Sequence, residues 1–191
     1  LLTRCLDDKR GFGGLTDNEL GLHAYRNLPD QDRFLAKSIA RTELARKGQI
    51  DAALKRILDR PIPKNARHLQ HTLSCAVAQI LFMDVPDSAA VNIAVGLIDR
   101  EPRSSRFASL ANAVLRRLTR ERDDVLPKIQ SDKLNTPNWM YNRWKDGYGH
   151  VAARAIATHH ADCHAGTIPL DLTVKENPGD LASQIEGAVI L

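Results

Sequence analysis

The chain reads as all-α, and three features of its 191 residues say so. Between residues 50 and 118, apolar side chains recur every three or four positions in successive stripes, which is the period of one helix face. Prolines fall between those stripes, and the connections they leave are short enough for antiparallel or steeply crossing neighbours in a bundle. Only Ile168-Pro169-Leu170-Asp171-Leu172-Thr173-Val174-Lys175 alternates apolar and polar residues as a half-buried strand does, so a short α/β fragment is expected at the C-terminal end alone.

Taken in order, Gly11-Phe12-Gly13-Gly14 reads as a loop, because no apolar strand precedes it and its spacing is not that of a GxGxxG turn. Thr16-Asp17-Asn18-Glu19 fits a capping box, which predicts a helix to about Asn27. Pro29 opens a longer helix in which Phe34, Leu35, Ile39 and Leu44 are expected to face inward, while Arg33, Lys37, Arg41, Arg46 and Lys47 fall elsewhere. Gly48 is the natural stop for it. Ile50, Ala53, Leu54, Ile57 and Leu58 form the next stripe, ended by Pro61 and Pro63 in a short polar connector.

From about Asn65 the face Leu69, Leu73, Ala76, Val77, Ile80 and Leu81 is nearly all apolar. A corner at Pro86 follows, then Ala90, Val91, Ala94, Val95 and Ile98, and then Phe107, Leu110, Ala111, Val114, Leu115 and Leu118. Thr136-Pro137 supplies a cap and a first-turn proline for a segment carrying Trp139, Tyr141 and Trp144, which should end near Gly147 and Gly149. A last helix is expected from about Val151 to Asp162.

Charge is concentrated rather than spread. Residues 33–67 carry a net +7 and residues 100–122 a net +5, within a chain total of +4. Such clusters attract polyanions, nucleic acid above all. With only 5% aromatic residues, any RNA contact must lean on phosphates, for which arginine forks are suited. The candidates are Arg33, Lys37 and Arg41 on one helix and Arg116, Arg117 and Arg120 on another, with Arg103 and Arg106 as second choices. Some of these are expected to pair with Asp32, Glu43, Glu121 or Asp123 instead.

No apolar run reaches the length of a membrane span, so a cytoplasmic protein with no membrane partner is expected. Cys5, Cys75 and Cys163 lie far apart without a CxxC pair, which points to reduced thiols. In His159-His160-Ala161-Asp162-Cys163-His164, helical spacing pairs His159 with Cys163 and His160 with His164, but a tight site needs four rigid ligands. The cluster is read as a polar helix end, with no metal. Trp139 and Trp144 stand on different sides of a helix, so at least one of them belongs to a core.

The run Asp32-Arg33 to Gly48-Gln49-Ile50-Asp51, the corner Gln79-Ile80-Leu81-Phe82-Met83-Asp84-Val85-Pro86 with Ala89-Ala90-Val91, and Asn112-Ala113-Val114-Leu115-Arg116-Arg117 resemble the NusB-like domain. That domain opens the Sun (RsmB-type) bacterial 16S ribosomal RNA cytosine-C5 methyltransferases. Pro137-Asn138-Trp139 and residues 170–175 resemble the linking helices and first strand that follow it. The resemblance implies a NusB-like antitermination-factor bundle over residues 1–126, linking helices over 127–165 and the start of a pre-catalytic α/β subdomain over 166–191. It implies RNA, 16S ribosomal RNA in particular, as partner, with a methyltransferase domain in cis and a ribosomal protein as a further partner. S-adenosylmethionine is implied for the catalytic domain only, since the family's glycine-rich turn and catalytic cysteines match nothing here; no catalytic residue and no cofactor are expected within these residues. The alternative is a NusB-type protein-interaction and antitermination module.

Overall fold

A computed structural model describes residues 1–164, and every element among them is helical. A π-turn at Thr3–Asp7 is followed by two single-turn helices, α1 (Phe12–Leu15) and α2 (His23–Arg26). The longer helices are α3 (Asp30–Ala45), α4 (Lys47–Ile57), α5 (Arg67–Phe82), α6 (Asp87–Arg100), α7 (Ala108–Arg120), α8 (Arg122–Lys128) and α9 (Asn138–His164). Short 3-10 turns lie at Ser105–Phe107 and Asp132–Asn135. The expected strand at 168–175 lies outside the described residues.

The helix with the most continuous apolar face in sequence is the one that ends up enclosed. Leu69, Leu73, Ala76, Val77 and Ile80 of α5 are buried, and so are Thr72, Ser74, Ala78 and Gln79 around the rest of its circumference. A helix buried all round sits at the centre of its bundle. Accordingly α3, α4, α6 and α7 all pack on α5. The main core joins Ile50, Leu54, Leu69, Leu73, Ile80, Ile98, Leu115 and Leu118 from four helices. A smaller second core gathers Tyr141, Ala153 and Ala157, with Trp144 against it.

Several expectations need correction. The Thr16 hydroxyl donates backwards to the Phe12 and Gly13 carbonyls, closing α1 rather than capping a following helix. Asp17 instead accepts the Glu19 and Leu20 amide N–H groups at 2.8 and 2.7 Å, which ties a turn, and the helix after it is one turn long. The glycine cluster is not a loop but part of α1, drawn in by the burial of Leu15. On α3 the buried face is Ala40 and Glu43, and Phe34 and Leu35 face solvent, Phe34 at 74% exposure. The helix is turned about one position from the register that apolarity favours. Leu110 is likewise half-exposed rather than core.

Gly48 does not stop a helix. The break falls at Arg46, and Gly48 sits in the first turn of α4. A Cβ there would coincide with the carbonyl of Leu134, so glycine permits the backbone of the 132–135 turn to lie directly on α4. Gln49 fastens the same contact: its amide N–H donates to Asn135 Oδ1 at 3.1 Å, its side-chain oxygen accepts from Asn135 Nδ2 at 2.7 Å, and its Nε2 donates to the Ile129 carbonyl at 3.0 Å. The break expected near Gly147 and Gly149 is found at Gly149, whose φ of 81° ends one helical stretch of α9 and starts the next.

Arg122 holds the Pro86 corner. Its guanidinium donates to the Ile80 carbonyl near the end of α5 and to the Asp87 carboxylate at the start of α6. The carbonyl would otherwise lack a partner in the last turn of its helix. Arg122→Ala is expected to lower stability by about 1–3 kcal/mol, seen as a lower urea midpoint at unchanged slope. Arg120→Ala, two residues away and exposed, should stay within about 0.5 kcal/mol.

Candidate nucleic-acid interface

The face of α7 opposite its core stripe is where cations accumulate. Ala111, Val114, Leu115 and Leu118 are buried, so Arg116 and Arg120, one turn apart, stand together on the exposed side. Arg116 Nε donates to Asn112 Oδ1 at 2.8 Å, which orients it along the helix. Arg120 and Arg103 are exposed and have no ion pair among the described residues. Arg106 lies over the Phe107 ring, 4.8 Å from its centroid.

Arg117 differs from its neighbour. Its Nε donates to Glu121 at 2.9 Å, and its Nη1 donates to the Ile57 carbonyl at 3.2 Å and to Asp59 at 3.4 Å. It ties α7 to the end of α4. The hydrogen bond and charge of Glu121, with Asp59 behind them, hold the guanidinium above its ordinary pKa, and it stays protonated throughout.

The second group lies on α3. Lys37 and Arg41 are one turn apart and exposed, and they line a cleft of about 460 Å³ with Phe12, Gly13, Thr16, Asp17 and Asn18. Arg33, a turn earlier, pairs with Asp30 and keeps only 26% of its side chain exposed. Lys37 and Arg41 thus border this cleft, and of the α7 row Arg117 alone borders a second depression.

The connector after α4, read from sequence as polar punctuation, forms a wall of the other depression. Pro61, Ile62 and Pro63 face Phe107 and Leu110 across a groove of about 470 Å³, with fully buried Leu69 among the residues that line it. Asp59, Arg60 and Arg117 complete its lining. Sequence reasoning passed over this groove, Arg60 and Arg122, since nothing local marks a long-range partner.

Thiol chemistry does not suit this surface. Burial, and then the charge of Glu43, push the Cys75 thiol up to about 12, and burial raises Cys5 as well. Protonated thiols are poor nucleophiles and poor ligands. The His160 ring stacks on Trp144, with centroids 5.4 Å apart and planes 6° from parallel. Trp144 is thus the core tryptophan of the pair and Trp139 the exposed one, while the side chains of Cys163 and His164 lie outside the described residues. No cluster of three metal-ligating side chains occurs among the described residues. Nor is any helix there long and apolar enough to cross a membrane.

The residues that build this bundle, from the central helix to the arginine-bearing α7, fall within the NusB family match at residues 7–120, and the chain belongs to the NusB family. Among individual proteins, the chain is similar to ribosomal RNA small subunit methyltransferase B of Xylella fastidiosa (strain 9a5c), 34% identical over 156 residues, which is 82% of this chain and 35% of that protein. It is also similar to the proteins of the same name from Xanthomonas campestris pv. campestris, 31% identical over 122 residues (64% and 27%), and Proteus mirabilis (strain HI4320), 26% over 129 residues (64% and 29%). The chain spans about a third of the length of these curated relatives.

Proposed function

We propose that this chain is the RNA-binding accessory domain of an S-adenosylmethionine-dependent methyltransferase that modifies cytosine C5 of 16S ribosomal RNA. The observation that carries the reading is the similarity, over as much as 82% of the chain, to small-subunit ribosomal RNA methyltransferases. Residues 1–126 would hold the RNA, residues 127–165 would link, and residues 166–191 would begin the pre-catalytic subdomain. Chemistry would belong to the part of the relatives' length that this chain does not span. The described residues do not fit an adenosyl cofactor: no strand leads into a glycine turn, and the one glycine cluster lies on a single-turn helix.

Exposed Arg116, Arg120, Arg103 and Arg106 on one side, and Lys37 and Arg41 on the other, are the groups available for phosphates. Arg117 and Arg33 spend donors on Glu121, Asp59 and Asp30 and would act mainly by shaping that surface. Binding of the chain to a 16S ribosomal RNA fragment should weaken steeply with salt, because each neutralised phosphate releases counterion. Changing Arg116 and Arg120 together to Ala should reduce the slope of log K against log salt by about 1.5, with unchanged thermal stability. Changing Lys37 and Arg41 together tests the α3 row in the same way.

A second reading, a module that binds a ribosomal protein, is favoured by Ile93 and Leu97, exposed one turn apart on α6 at 58% and 48%. Binding indifferent to salt and to all four basic changes would transfer the function to that face.

A further inference from the structure

We propose that the groove between the 57–63 connector and α7 receives an unstacked base of single-stranded RNA, an inference that rests on the RNA-binding reading above and specifies how the RNA is read. The lining is largely apolar, with Pro61, Ile62 and Pro63 from the connector, and Phe107 and half-exposed Leu110 from the chain at the start of α7. A volume of about 470 Å³ is that of a site for a planar organic group rather than for a single water. Around it the charge is cationic. Arg60 and Arg117 belong to the lining and Arg106 lies on the Phe107 ring, while Asp59 in the lining and Glu121 beside it both pair with Arg117 and offset part of that charge.

An apolar slot beside guanidinium groups matches a base with its two phosphates better than it matches an apolar peptide, which would leave Arg60 and Arg106 without a counter-charge. The polar edge also has partners. Arg117, with Nε and Nη1 spent on Glu121, Ile57 and Asp59, offers its Nη2 donors alone, and Asp59, with 93% of its side chain exposed, offers an acceptor for an exocyclic amino group. The Arg106 guanidinium already lies against an aromatic face, the arrangement that stacks on a base when the ring's neighbour is displaced.

The test compares two single-stranded oligoribonucleotides of 12 residues and equal charge, one intact and one with abasic positions throughout, titrated against the whole chain across a salt series. The intact strand should bind about tenfold tighter, the effect of one stacked base. Leu110→Asp, placed on an exposed side chain so that the core is spared, should erase that difference and leave the salt slope of the abasic strand unchanged. Equal binding of the two strands, with a normal salt slope, would overturn the base pocket while leaving the RNA reading intact. A preference for the intact strand that survives Leu110→Asp would place the base elsewhere and also overturn it. If neither strand binds, both readings fall. A dimer in sedimentation that Leu110→Asp dissolves would instead give the groove to a second copy of the chain.

Discussion

Gly48→Ala is expected to be among the most damaging single-atom-scale changes in this molecule. The added methyl would occupy the position of the Leu134 carbonyl, and a backbone carbonyl cannot swing aside as a side-chain tip can. The 132–135 turn must therefore lift from α4, which takes with it the Gln49–Asn135 pair and strains the bond from Gln49 to Ile129. Three hydrogen bonds, one buried and two part-buried, together with the packing around them are worth about 3 kcal/mol. For a chain of this size that is roughly 6–12 °C in Tm. Gly96→Ala is the matched control. Gly96 lies inside α6 with open space where its Cβ would stand, so the same substitution there should stabilise by about 0.5–1 kcal/mol. Equal effects at the two glycines would refute the close approach.

Glu43→Gln should change how stability depends on pH. The Glu43 carboxyl is fully buried on α3, and neither of its oxygens has a hydrogen-bond partner; the nearby Ser74 hydroxyl also lacks one. Burial raises its pKa to about 7, against the partial relief given by Lys47, whose Nζ is 3.9 Å away. An unfolded Glu titrates near 4.5. Between those values the folded chain holds a proton that the unfolded chain has released, so stability falls as pH rises from about 4.5 to about 7 and is level above that. The total is about 3 kcal/mol. Glutamine cannot ionise. In urea melts from pH 4.5 to 8.5 the variant should lack this decline, gaining on the parent as pH rises. Parallel profiles for the two proteins would show that Glu43 is not the source.

How far the sequence reached depended on whether a residue's role was local. The stripes of α5, α6 and α7 were readable because the core repeats their period, and so was the Gly149 break, since a φ of 81° suits glycine. On α3 the same reasoning chose Phe34 and Leu35, the most apolar side chains, whereas the fold buries Ala40 and an acidic residue. No hydropathy pattern selects Glu43 for an interior. The candidate interface divides along the same line. Arg116 and Arg117 are adjacent and alike in sequence, and it is Ile57 and Asp59, some 60 positions away, that turn one into a brace and leave the other facing solvent. Arg33 pairs with Asp30 and not with the expected Asp32, because position i−3 lies on its own face of the helix and i−1 does not.

The central place of α5 also sets an order of events during synthesis. Chains are made from the N-terminus at about 5–20 residues per second. For several seconds after α3 and α4 emerge, the helix they close upon is still being made, and α5 itself waits again for α6 and α7. Its apolar face thus stays open to water and to other nascent chains until α7 emerges, an interval set by the pace of translation between residues 82 and 120.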